Sequence, residues 1–113
     1  MKEIVDFINQ QIDPLNVESM AADLSVATSY YYTTSTYYAQ CEMIYNQELG
    51  KASDSLTDTD YTAKEKEFKV KQLVAEFKYK LLRAEGMMKA LETKIEALRT
   101  LISKAKTEMS LTK

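Results

Sequence analysis

The chain has no histidine and no tryptophan, and only one cysteine, one proline and two glycines among its 113 residues. Without histidine, the usual general base and a common zinc ligand are missing. No cysteine pair, glycine-rich phosphate loop or serine in a strand-turn-helix setting supplies another chemistry, so an enzyme is not expected and neither is a cofactor. Cys41 alone cannot form an internal disulfide, and its place in a helical pattern beside tyrosines predicts a small buried thiol. So few glycines and prolines leave little room for tight turns, which excludes a sheet and predicts a few long helices. No window approaches the ~20 apolar residues of a membrane span. The start, MKEIVDFINQQ, lacks a small-residue cleavage site, so the expected location is the cytoplasm.

What is present is a heptad pattern. Val74, Leu81, Met88, Ile95, Ile102 and Met109 recur at one position and Val70, Phe77, Ala84, Leu91, Leu98 and Ala105 at the other. A 3.5-residue spacing keeps one stripe of a helix against a neighbour along its whole length. The chain should be all-α, a long antiparallel helical hairpin of coiled-coil type with a short N-terminal helix, forming one domain over residues 1–113.

Three helices can be drawn. Residues 2–12 place Ile4, Val5, Ile8 and Ile12 on one face, and Asp13-Pro14 cuts the pattern because proline removes a donor and restricts the residue before it. A second helix should run over 15–50, capped by Asp13 or Asn16. Its ladder is Val17, Leu24, Tyr31, Tyr38 and Tyr45, with Met20, Ala27, Thr34 and Cys41 three residues on. Gly50 stands where a C-cap glycine belongs, and 51–61 is rich in Ser, Thr and Asp, a loop. Thr62 and Glu65 match a capping box that starts a third helix over 62–109, with Asp58 or Asp60 as earlier alternatives. Asp58, Asp60 and Thr62 superficially resemble a calcium loop, but Lys69 stands where a bidentate carboxylate is needed.

At ~1.5 Å per residue the third helix is about 70 Å long and the second about 53 Å. The arms match if helix 1 prolongs the second arm along the C-terminal end of helix 3 after a kink at Pro14. Two helices bury little apolar area, so self-association into an oligomeric bundle is expected. Leu73, Met87 and Leu101 widen the stripe on one flank of helix 3 and are candidate partner contacts. Gly86 lies on the outer face, where glycine costs about 1 kcal/mol relative to alanine, so a kink or a close approach of another subunit is expected there.

Charge is divided between the halves. Residues 1–60 hold two Lys against ten Asp or Glu, a balance of −8, and residues 61–113 hold thirteen Lys or Arg against seven Glu, a balance of +6. Antiparallel pairing of the two arms uses this asymmetry. Lys64, Lys66, Lys69, Lys71, Lys78, Lys80 and Arg83 are also candidate nucleic-acid contacts, diluted by Glu65, Glu67 and Glu76.

The tract SYYYTTSTYYAQ could stack bases or hold a small ligand. The sevenfold rows Tyr31–Tyr38–Tyr45 and Tyr30–Tyr37–Ile44 instead place most rings on or beside the buried stripe. Tyr32 is the ring the ladder explains least and is a candidate partner or ligand contact. Glu92 and Glu96 stand one turn apart on the flank, with Lys94 and Arg99 near enough to form solvated ion pairs, so no metal site is expected.

From TDTDYTAKEKEFKVKQL to KIEALRTLISKAKTEMS the chain resembles, in pattern, small helical coiled-coil proteins encoded in early or recombination gene clusters of bacterial phages and prophages. The resemblance implies an accessory role beside single-strand annealing or binding proteins, and it brings over no catalytic residue. Three functions follow as expectations. The first is a non-enzymatic adaptor acting by self-association and binding of a protein partner. The second is a nucleic-acid accessory using Lys64 to Arg83. The third is an anti-defence protein that sequesters a host protein or nucleotide signal.

Overall fold

A computed structural model describes residues 1–56 and 61–111. The described residues are helical in three elements, α1 (Lys2–Asn9), α2 (Val17–Ser55) and α3 (Ala63–Leu111). Asn16 caps α2, its side-chain oxygen accepting from the Ser19 amide at 2.9 Å, while Asp13 accepts from the Leu15 amide in the turn before it. Thr62 and Glu65 form the expected capping box: the Glu65 amide donates to Thr62 Oγ1 at 3.2 Å and the Thr62 amide to Glu65 Oε2 at 3.4 Å. The alternative starts at Asp58 and Asp60, and the calcium-loop resemblance that includes them, lie outside the described residues.

Two boundaries differ from the sequence expectation by three residues or more, and the others by at most two. α1 stops at Asn9, where Gln10 turns extended, rather than reaching residue 12. α2 runs through Gly50 to Ser55, and neither glycine has a positive φ. Ala52 explains the second difference, because it is buried and carries the packed face of α2 two residues beyond Gly50. Gly50 faces open space on the other side and caps nothing. Tertiary packing outweighs the propensity of a single glycine.

Contacts gather the chain into two compact units, Met1–Thr34 with Met87–Lys113, and Ser35–Gly86. In each, α2 packs on α3. In the second unit the pairing is antiparallel: Lys78 lies over the Tyr45 ring, 5.1 Å from its centroid, and Arg83 acts on Tyr37. Along α2 the most buried row is the small one, Met20, Ala27, Thr34 and Cys41, with half-buried Val17, Leu24, Tyr31, Tyr38 and Tyr45 beside it. Small side chains let the backbones approach, so the rings close the sides of the seam instead of filling it. On α3 eleven of the twelve heptad positions are buried or half-buried, and Met109 is 57% exposed.

Met109 stays exposed because α1 does not lie where the length arithmetic put it. α1 folds back onto the middle of its own unit, where Ile4 and Phe7 join a core of Met20, Ala27, Met87, Leu91, Ile95 and Leu98. The Phe7 ring meets Tyr30 edge-on at 5.4 Å. Tyr30 lies thirteen residues into α2, about 20 Å from its start, so the chain reverses through 10–16 instead of kinking at Pro14 and continuing. An eight-residue amphipathic helix buries more apolar surface in the groove between two helices than as an extension beside one.

This placement also corrects the flank of α3. Met87 is only 8% exposed and Leu101 is half-buried against the same core, so neither is an open partner contact; Leu73, in the other unit, is 57% exposed.

Candidate functional site

The sequence treated Lys94 as a surface charge beside Glu92. The structure places it differently. Its side chain is buried, and its ammonium donates to the backbone carbonyl of Phe7 and, at 2.8 Å, to that of Gln10. It also stands over the Phe7 ring, 4.2 Å from the centroid. These carbonyls end α1, so α3 supplies the cation that α1 lacks in its own last turn. Burial lowers the Lys94 pKa, and the charge of Asp23 opposes that shift. The arrangement fastens a helix. A sequence signal existed: Met87, Lys94 and Leu101 form a sevenfold row, and a lysine between two apolar residues of a row is a candidate for burial of its stem.

Glu92 has Tyr31 as its partner, in place of the expected solvated pairing with Lys94 or Arg99. The Tyr31 hydroxyl donates to Glu92 Oε1 at 2.8 Å, and this hydrogen bond, with burial and the carboxylate charge, raises the Tyr31 pKa. In the other unit the Tyr37 pKa is raised mainly by its hydrogen bond with Cys41. The Tyr31 bond ties α2 to α3 at the rim of the seam, whereas the Tyr37 bond stays within α2. Tyr32 is 75% exposed and borders a shallow groove whose lining all comes from α2, from Ala21 to Thr33. No second element contributes to that groove. Among the described residues no group of three or more His, Cys, Asp or Glu could hold a metal ion.

The basic residues of α3 do not form one face. Lys64, Lys71 and Lys78 follow one side of the helix, whereas Lys66, Lys69, Lys80 and Arg83 follow another. Several have partners inside the chain. Lys71 pairs with Glu67 at 3.5 Å and Lys80 with Glu76 at 4.0 Å, Lys69 lies over Tyr61, and Lys78 over Tyr45.

Between the two basic sides lies a feature that the sequence reading missed. Phe68, Gln72, Ala75, Tyr79, Leu82 and Gly86 recur at alternating steps of four and three residues, and all are exposed. Phe68 is 62%, Tyr79 63% and Leu82 52% exposed. This second stripe has the spacing of a helix-packing seam but faces away from α2. The stronger inner heptad masked it, because each of its residues fits the outer side of a helix when read alone. A Cβ added to Gly86 would meet nothing within 4 Å, so no contact within the chain requires glycine there.

No protein-family model, no curated protein and no solved structure matches this chain. Among the described residues no helix is long and apolar enough to cross a membrane.

Proposed function

We propose that the protein is a non-enzymatic helical adaptor, an accessory of the phage-type kind implied by its sequence pattern, that works by self-association and by binding a protein partner through exposed helix faces. The observation that carries this reading is the outer stripe of α3 in the unit Ser35–Gly86, where Phe68, Tyr79 and Leu82 are exposed in one helical row. Isolated exposed apolar residues need no explanation, but a periodic row of large ones is characteristic of an interaction surface. The surface depressions are open grooves, such as those along Tyr38–Gln47 and Arg99–Glu108, and the polar groups in the core fasten helices to one another.

Light scattering on the eluting full chain, at low and high salt, tests the self-association. A mass above one 12.9 kDa chain at both salts is expected, and a single-chain mass at both overturns that half of the proposal. A second reading, nucleic-acid binding through Lys64 to Arg83, draws support from the exposed cations of α3. It requires affinity that falls steeply as salt rises, since phosphate contacts release counterions. Flat binding curves across salt remove it.

A further inference from the structure

We propose that α1 is a strap swapped between two copies of the chain, each α1 leaving its own groove and occupying the same groove of the other copy. This rests on the self-association half of the adaptor reading and names the contact that makes it. What holds α1 in place carries the inference. Eight residues are too few for a helix to persist alone in water. Met1, at its start, has no side-chain oxygen to cap the free amides, and its last turn carries no cation. α1 is therefore helical only where a groove seats it.

The seat recognises α1 itself and not its link to α2. Ile4 and Phe7 are buried in the core of the unit, the Phe7 ring meets Tyr30, and Lys94 donates to the carbonyls of Phe7 and Gln10. The α1 of a second copy brings the same groups, so a swapped pair keeps all of these contacts. What the swap changes is the stretch 10–16. Its reversal is a turn in which the Asn16 amide donates to the Asp13 carbonyl at 3.3 Å and the Leu15 amide to Asp13 Oδ1 at 3.1 Å. Water replaces such exposed bonds at little net cost when the stretch straightens. Pro14 favours straightening, because the residue before a proline is pushed toward extended backbone, and Gln10 is extended already. At the corner of the turn Leu15 is 92% exposed. In the swapped pair the two straightened hinges run side by side and each Leu15 is covered by its counterpart, an apolar burial that the reversed hinge does not offer. The swap is reciprocal, so the assembly closes at two chains.

Two chains with complementary defects test this. Phe7→Glu spoils the strap and keeps the groove, while Lys94→Glu spoils the groove and keeps the strap. By light scattering each variant alone should have the mass of one chain and the native protein that of two. The Lys2–Asn9 amides of each variant alone should undergo rapid hydrogen exchange. Mixing isotope-labelled Lys94→Glu with an excess of unlabelled Phe7→Glu seats the sound strap in the sound groove. The labelled Lys2–Asn9 amides should then slow by at least about tenfold, which is about 1.4 kcal/mol of protection. The same excess of unlabelled Lys94→Glu should leave them fast. Amides around Cys41, in the other unit, report whether α2 and α3 stay paired in each variant. Leu15→Glu tests the swap on a chain whose strap and groove are both intact, and it should raise the dissociation constant of the pair at least about tenfold.

Labelled amides that stay fast after mixing, while those around Cys41 stay slow, would show that α1 seats only in its own chain and overturn the proposal. A pair whose dissociation ignores Leu15→Glu overturns it as well. A mass above one chain kept by both Phe7→Glu and Lys94→Glu removes this inference alone and leaves self-association standing through another face. A single-chain mass for the native protein removes self-association itself, and the swap with it.

Discussion

In the unit built from Met1–Thr34 and Met87–Lys113, a short third helix lies on the α2–α3 pair and closes it, and Met87, Leu91, Ile95 and Leu98 are all buried. In the unit Ser35–Gly86 the same two helices pair with no third helix among the described residues, and Phe68, Leu73, Tyr79 and Leu82 of α3 stay exposed. The helices are continuous through both units, so propensity does not distinguish them. What differs is how much of the α3 circumference finds apolar cover. A pair of helices buries one stripe of each, while a trio buries about twice that width, enough to take in a lysine stem. The covered unit provides stability and the uncovered unit provides surface.

The largest effect expected from this contrast comes from the fastening of α1. Lys94→Glu would set a buried carboxylate against the two carbonyls that the ammonium now satisfies, at a cost on the order of 3–5 kcal/mol. Hydrogen exchange should then show the amides of Lys2–Asn9 losing protection while those around Cys41 keep theirs. Slightly smaller is the loss from Leu91→Ala, about 2–5 kcal/mol, because Leu91 is fully buried. Leu82→Ala in the uncovered unit should stay within about 0.5 kcal/mol. Equal costs for the two leucines in chemical denaturation would abolish the distinction between the units.

Next is Thr34, whose hydroxyl is fully buried and has no hydrogen-bond partner among the described residues. Thr28 and Thr33 turn theirs onto the carbonyl four residues back, and Thr34 does not. Thr34→Val keeps the shape and removes an unsatisfied group, so the denaturation midpoint should rise, by about 1 kcal/mol of stability. Gly86→Ala should stabilise by somewhat less than 1 kcal/mol, since the added methyl enters open space. A lower melting temperature for Gly86→Ala would mean that another subunit occupies that space.

The smallest effect is in pH dependence. The folded pKa of Lys94 is lowered, so the unfolded chain holds this proton more firmly, and stability should rise as pH climbs through the lowered value toward about 10.4. Lys94→Met should flatten that rise. Tyr31 and Tyr37 act in the opposite direction above about pH 10: their pKa values are raised in the fold, so the unfolded rings ionise first and stability falls. A melting-temperature series from pH 7 to 10 on both proteins therefore isolates the lysine.

The helical class, both caps and the inner face of α3 were legible because they depend on neighbours within one or two turns. Asn16 and the Thr62–Glu65 box are local chemistry, and Val74, Leu81, Leu91 and Leu98 are local periodicity. The return of α1 was not legible. Residues 10–16 permit either an extension or a reversal, and the choice depends on a groove formed by residues some 20 to 90 positions away. Arithmetic on arm lengths assumed that every turn of α3 must be covered, whereas Met109 stays 57% exposed. Gly50 was misread for a related reason, since its local preference yields to the packing of Ala52. Of the candidate contacts, Tyr32 and Leu73 are exposed where they were expected to be, while Met87 and Leu101 joined the core once α1 covered them.

Cys41 is the chain's single thiol, and it lies buried in the row of α2 that packs in the uncovered unit. A buried thiol reacts only when its surroundings open, and its rate of modification by an excess of reagent measures how often they do. The native sequence thus carries a clock placed in the half that has surface to offer. Read beside exchange of the α1 amides, it times the opening of each half separately, without a label, a tag or a substitution.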